Sequence, residues 1–220
     1  MNSATATFDV LDLQAILSRH LPMYKVKAPN YQAAMLDSMV ELWQQRHERL
    51  LDIGGGTGVI AEAMARLFPV GQVVTIDMVD RFCTDLSVET KSYDGRTLPF
   101  EAGQFDAATL NNVLHHVPVS ERGALLREVR RVVKGPLYIK DHVSTGTLDN
   151  MRLAAMDAIG NIPFDGQVTA QYLSATDWSE LAKAGGYQIG ATASPRAYRG
   201  PLHGLIFPNR LEITMRFDPN

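Results

Sequence analysis

The stretch LLDIGGGTGV, Leu50 to Val59, places Gly54, Gly55, Gly56 and Gly58 in five positions directly after an apolar run that contains Asp52. Glycines at such a point permit backbone angles closed to other residues and let a ligand touch the main chain. The acid within the run selects by charge: a pyrophosphate is repelled and a cationic ligand is not. The dinucleotide fingerprint G-x-G-x-x-G fits neither register. Counted from Gly54 the third glycine falls on Val59, and counted from Gly55 the second falls on Thr57. The pattern present is D-x-G-x-G-x-G. Further along, Asn111, Asn112, His115 and His116, and then Asp141 and His142, bring amide, imidazole and carboxylate groups into two short stretches. Histidine exchanges a proton near neutral pH, and His with Asp also suits divalent metals. No tight ligand motif accompanies them, so no metal is expected.

The elements that must position these groups follow from periodicity. Val10 to His20 reads as a helix with Leu13, Ile16 and Leu17 on one face, and a second helix starts after Pro29 and runs through Tyr31, Met35, Met39 and Trp43. Then strand and helix alternate. Strands are expected over 49–53, 72–77, 87–93, 105–110 and 137–140. Helices are expected over 57–68, 80–86 (short), 120–133 with Ser120 as cap, 147–160, and 176–185 capped at Thr176 or Asp177. Residues 187–193 and 204–217 finish with strand character. Such alternation means βαβ units: a doubly wound, mostly parallel seven-stranded α/β sheet, Rossmann-like, with an N-terminal helical cap. The expected division is 1–48 as cap and 49–220 as one core. In this sheet type the glycine turn lies at the carboxyl ends of the strands, where ligands bind.

Composition narrows the class. A chain of 220 residues with 45% apolar and 20% charged residues is a soluble globular domain. The net charge of −3 gives no pull towards nucleic acid or an anionic membrane. Cys83 is the single cysteine, so no internal disulfide forms. No signal peptide and no run of ~18–20 apolar residues is present, which points to a cytoplasmic protein with no membrane partner.

Taken together, the motifs resemble a class I S-adenosylmethionine (SAM)-dependent methyltransferase of the small-molecule, methyltransferase type 11-like kind. The resemblance covers Leu50 to Gly186. Asp52 to Gly58 matches the family's first motif. It implies that Asp77, ending the second strand, meets the ribose hydroxyls, and that Met78 packs on the adenine. Asp94, four residues before Leu98-Pro99-Phe100, matches the D-x-x-x-LPF segment, whose acid and next amide (Gly95) meet the adenine edge. Phe105 to Val117 resembles the fourth strand and its loop, with Asn111 near the methionine part. A carboxylate at a strand tip suits paired hydroxyls, and Asp77 stands 19 residues after Gly58, as this role requires. One departure is the short connection between Asp77 and Ser87.

In methyl transfer by in-line displacement the protein mainly aligns the acceptor. A hydroxyl, acidic carbon or ammonium acceptor also needs a base. His142 is the first candidate, Asp141 its orienting neighbour, and His116 the second. Tyr31, His115, Asn161 and Tyr172 are candidates for substrate contact: Tyr31 in one wall, made by the N-terminal helices, and Asn161 and Tyr172 with Phe164 and Asp165 in the other, the stretch 149–178. The acceptor is expected to be a small molecule, and a homodimer is compatible with the late strands. The alternative is a SAM-binding protein or a non-methylating enzyme on the same fold; an NAD(P)-dependent oxidoreductase is disfavoured by the glycine register and Asp52.

Overall fold

A computed structural model describes residues 8–161 and 170–220. Seven strands form one sheet: β1 (His47–Ile53), β2 (Val70–Asp77), β3 (Glu89–Ser92), β4 (Ala107–Asn111), β5 (Leu137–His142), β6 (Tyr187–Ala193) and β7 (Glu212–Pro219). Their order is β3-β2-β1-β4-β5-β7-β6. The first five are parallel, and β7 runs antiparallel to both β5 and β6. The chain reverses sides between β1 and β4, so the carboxyl ends of those strands open the switch-point crevice of a doubly wound sheet.

Strand alternation divides the core into two layers. Leu50, Val73, Ala107 and Tyr138 face α1 (Val10–His20), α2 (Asn30–Leu42) and α3 (Val59–Leu67). Their sequence neighbours Leu51, Val74, Ala108 and Leu137 face α4 (Val119–Val132) and α6 (Ala175–Ala184). Residues 10–42 therefore share a continuous core with β1, β2 and α3, through Leu13, Leu17, Leu36 and Met39. The remaining helices are α5 (Thr147–Asn161) and α7 (Pro201–Ile206). Among the described residues no helix is long and apolar enough to cross a membrane.

Several local expectations are revised. No helix forms over 80–86. The Cys83 amide instead donates to Thr57 O, and the Ser87 amide and hydroxyl donate to Glu62, so the segment is tied to the start of α3 rather than to itself. The cap position of α4 is Pro118, not Ser120. At α6 the cap is Ser174, which forms a reciprocal capping box with Asp177. Residues 204–211 are not strand: Pro201 at the first turn starts α7, and β7 begins only at Glu212. β5 reaches His142, so Asp141 and His142 belong to the strand itself.

Candidate functional site

The glycine turn is shaped by backbone sign and by neighbours. Gly54, Gly56 and Gly58 have φ of +74°, +58° and +80°. Such angles strain any residue with a Cβ. Gly55 is required for another reason: a Cβ there would lie 1.8 Å from Thr75 Oγ1. The amides of Gly54 and Gly55 both donate to Ile76 O, which presses the turn against the end of β2. A Cβ on Gly56 would meet nothing within 4 Å, so this glycine borders open space.

Asp52 lies beneath the turn and is almost fully buried. It sits in register with Thr75 on β2 and Thr109 on β4. Both threonine hydroxyls donate to its carboxylate, at 2.9 and 2.7 Å. Burial pushes the Asp52 carboxyl up, against the lowering effect of these hydroxyls. Asn111 Nδ2 lies 3.5 Å from the same carboxylate, while Asn111 Oδ1 is buried without a hydrogen-bond partner among the described residues. An acceptor buried and unmatched in this way is suited to a donor brought by a ligand.

Asp77 ends β2 with its carboxylate drawn back over the turn. Oδ2 accepts from the Gly56 amide at 2.8 Å and Oδ1 from the Val79 amide at 3.0 Å. Each oxygen keeps a further lone pair for another donor. Met78 is exposed and leans on Gly95, where a Cβ would lie 2.8 Å from the Met78 sulfur. Asp94 is exposed and accepts from the Thr97 and Arg96 amides, which hold its carboxyl below the usual range. The Tyr93 amide donates to Asp77 O, so the Asp77 and Asp94 segments are neighbours. The ten cofactor-side candidates thus converge on the carboxyl ends of β1, β2, β3 and β4.

A second group forms on the side of α5. The Gln171 amide donates to His115 O and the Ser144 amide to Leu173 O, which lays residues 171–173 beside the end of β5 and brings Tyr172 onto His115. His115 Nδ1 lies 2.5 Å from Asp141 Oδ1. His115 Nε2 and His116 Nε2 lie 3.3 and 3.6 Å from Asp157 Oδ2. His142 Nδ1 lies 3.5 Å from Asp141 Oδ1. Burial alone would lower the His115 pKa, but the flanking Asp141 and Asp157 carboxylates raise it to about 9. Burial and the Lys140 ammonium lower that of His142. The candidates His115, His116, Asp141, His142 and Tyr172 are therefore brought together. The Asn161 side chain, with Phe164 and Asp165, lies outside the described residues.

Tyr31 joins a different assembly. Its hydroxyl accepts from Asn112 Nδ2 at 2.7 Å and from Lys140 Nζ at 2.8 Å. Lys140 is fully buried and also contacts Asn112 Oδ1 at 2.9 Å and Glu212 Oε2 at 3.0 Å. Glu212 in turn holds Tyr198 and Arg199. Asn112 has φ of +56°, a strained value for a side-chain-bearing residue.

Sequence reasoning missed Asp157, Lys140, Glu212 and Arg199. Asp157 stands one turn after the buried Leu153 on α5, so the helical period alone pointed it inward. Lys140 within the apolar strand LYIK was a comparable signal.

Comparison with known proteins bears on these assemblies. Residues 51–136 match the family described as methyltransferase domain. This segment is a methyltransferase domain. The domain is similar to the malonyl-[acyl-carrier protein] O-methyltransferase of Legionella pneumophila, 32% identical over 93 residues, which are 39% of this chain and 32% of that protein. It is also similar to the ubiquinone/menaquinone biosynthesis C-methyltransferase UbiE of Pseudomonas putida, 34% identical over 99 residues, 39% of this chain and 38% of the relative. These matches span about a third of the relatives' length. The fold extends further than the methyltransferase domain match. Magnesium protoporphyrin IX methyltransferase (ChlM) of Synechocystis, solved with bound SAH, aligns over 90% of this chain and 87% of its own with a TM-score of 0.59 at 14% identity.

Proposed function

We propose that this chain transfers a methyl group from SAM to a small-molecule acceptor. The observation that carries the reading is the turn itself: three left-handed glycines, with the Gly56 amide held by the Asp77 carboxylate. In this reading the unused lone pairs of Asp77 accept the two ribose hydroxyls. Met78 and Gly95 bracket the adenine, and the Asp94 turn meets its edge. Gly54, Gly55, Gly56 and Gly58 let the methionine part lie on the main chain. Asn111 Oδ1 accepts from its ammonium. Asp52, locked below by Thr75 and Thr109, supplies negative potential under the sulfonium.

The acceptor sits on the His115–Tyr172 side, with Tyr31 on its wall and the helices α1 and α2 as its cap. His142 serves as base for an acceptor that must lose a proton. The His142 amide donates to Asp141 Oδ1 at 2.7 Å, which holds the residue in place, and one of its ring nitrogens takes the proton in this reading. His116 is the second candidate. The net charge of −3 supports a small metabolite over a nucleic acid. No membrane partner is invoked, and the chain acts in the cytoplasm.

The test is an assay with methyl-labelled SAM over a panel of hydroxylated, amino and activated-carbon metabolites. Label transferred to a small molecule, and lost in His142→Gln while SAH still binds, supports the reading. SAH binding with no acceptor across the panel would favour a non-methylating role on the same fold.

A further inference from the structure

We propose that His115, His116 and Asp157 bind a first-row divalent cation, Zn2+ in the first instance. Two imidazoles aim at one carboxylate oxygen: His115 Nε2 at 3.3 Å and His116 Nε2 at 3.6 Å from Asp157 Oδ2. Both separations exceed the ~2.7–2.9 Å of a charge-assisted hydrogen bond. They match the spacing of two ligands on one metal. Zinc–nitrogen and zinc–oxygen bonds of about 2.0–2.2 Å at tetrahedral angles put neighbouring donor atoms roughly 3.3–3.6 Å apart. The three donor atoms all lie within 4.8 Å of one another.

A second, independent observation concerns the buried atoms. His115 Nε2 is buried and makes no aligned hydrogen bond among the described residues, the Asp157 carboxylate 3.3 Å away facing it by charge alone. Its other nitrogen is engaged by Asp141 Oδ1 at 2.5 Å. A carboxylate on one ring nitrogen orients the ring and presents the opposite nitrogen to a metal, which displaces that nitrogen's proton on binding. Asp141 is thus a positioning residue behind His115 and not a ligand. The same contact argues against the overlapping set His115, Asp141 and His142. There the His115–Asp141 pair, at 2.5 Å, is too close for two ligands of one ion.

The donor set also selects the ion. Two imidazoles and one carboxylate suit Zn2+ or Fe2+, whereas Mg2+ prefers an all-oxygen shell. Three protein ligands leave a coordination position open, as in sites where a metal meets a small molecule. Tyr172 borders this position, with its hydroxyl 3.2 Å from Asp157 Oδ2.

The experiment is titration of the chelator-treated full chain with Zn2+ alone, against a chromophoric competitor and without SAM, so that it stands apart from methyl transfer. One equivalent is expected, not displaced by Mg2+. His116→Ala and Asp157→Asn remove ligands and abolish the tight phase. Asp141→Asn weakens it about 10–100-fold through His115, and His142→Gln leaves it unchanged. Co2+ loading of the wild-type chain is the second measurement, independent of how well the variants fold. It is expected to give the visible bands of a low-coordinate N/O site without thiolate charge transfer. Absence of stoichiometric Zn2+ binding, a thiolate band from Cys83, or loss of the tight phase in His142→Gln equal to that in His116→Ala would each overturn the assignment.

Discussion

The Gly56 amide donates to Asp77 Oδ2 at 2.8 Å, so one carboxylate both closes the glycine turn and stands at its open side. In the proposed complex the same group accepts the ribose hydroxyls. Hydrogen bonds to a charged group contribute about 1.5–3 kcal/mol each. Asp77→Ala is therefore expected to weaken SAH at least roughly 10-fold. Fluorescence or calorimetric titration reads the change. An unaltered affinity would remove Asp77 from the site.

Gly55 and Gly56 are adjacent but should answer differently to alanine. At Gly55 the new methyl collides with Thr75 Oγ1, which must turn away from Asp52 and leave a buried carboxylate short of a donor. That loss costs about 1–3 kcal/mol, read as a fall of about 2–4 °C in Tm per kcal/mol for a chain of this size. At Gly56 the methyl enters open space, so only the left-handed backbone is strained, at roughly 1–2 kcal/mol. Its larger effect is expected in SAH affinity, because the methyl stands where the proposed complex puts the ligand. Equal effects on both readouts would contradict the geometry.

The buried Lys140–Glu212 pair predicts an asymmetry. Glu212 also holds Arg199, so its carboxyl, which burial would raise, is kept down at about 2 by Lys140 and Arg199. Lys140→Met leaves Glu212 paired. Glu212→Gln leaves the fully buried Lys140 facing only the neutral Tyr31 and Asn112 groups. Breaking a buried pair in that way costs about 3–5 kcal/mol. Urea unfolding should therefore show a greater loss for Glu212→Gln than for Lys140→Met. The reverse order would show that Lys140 does not depend on Glu212.

A pH dependence of stability follows from His47, away from the candidate sites. Its ring is packed against Trp43 and lies 3.1 Å from Tyr138 Oη, and burial lowers its pKa. The unfolded chain, with an imidazole near about 6.5, then binds the proton more readily than the folded one. Stability from this group is complete above that value and is lost as pH falls towards the lowered folded value, at up to about 1.4 kcal/mol per pH unit. His47→Gln should flatten the stability curve below about pH 6.5 relative to wild type. Parallel curves for the two proteins would refute the assignment.

The turn and its acids were legible in the sequence because their causes are local. Left-handed glycines, strand ends and an acid 19 residues on need no knowledge of distant contacts. The partners that complete the structure were not. Lys140 meets Glu212 only because β7 inserts antiparallel between β5 and β6, and spacing along the chain carries no trace of that insertion. Asp157 reaches His115 and His116 only once α5 packs beside the loop that follows β4. The short connection after Asp77 misled in the opposite direction: its helical composition yields to tertiary bonds from Cys83 and Ser87 to Thr57 and Glu62.

The central claim is that the turn from Gly54 to Gly58, backed by Asp52 and Asp77, accepts a sulfonium nucleoside and refuses a dinucleotide. Calorimetric titration of ligand-free protein with SAM, SAH and NAD tests it most directly. One site for SAM and SAH, with no heat for NAD, is the predicted result. Heat on adding NAD and none on adding SAM or SAH would contradict the account.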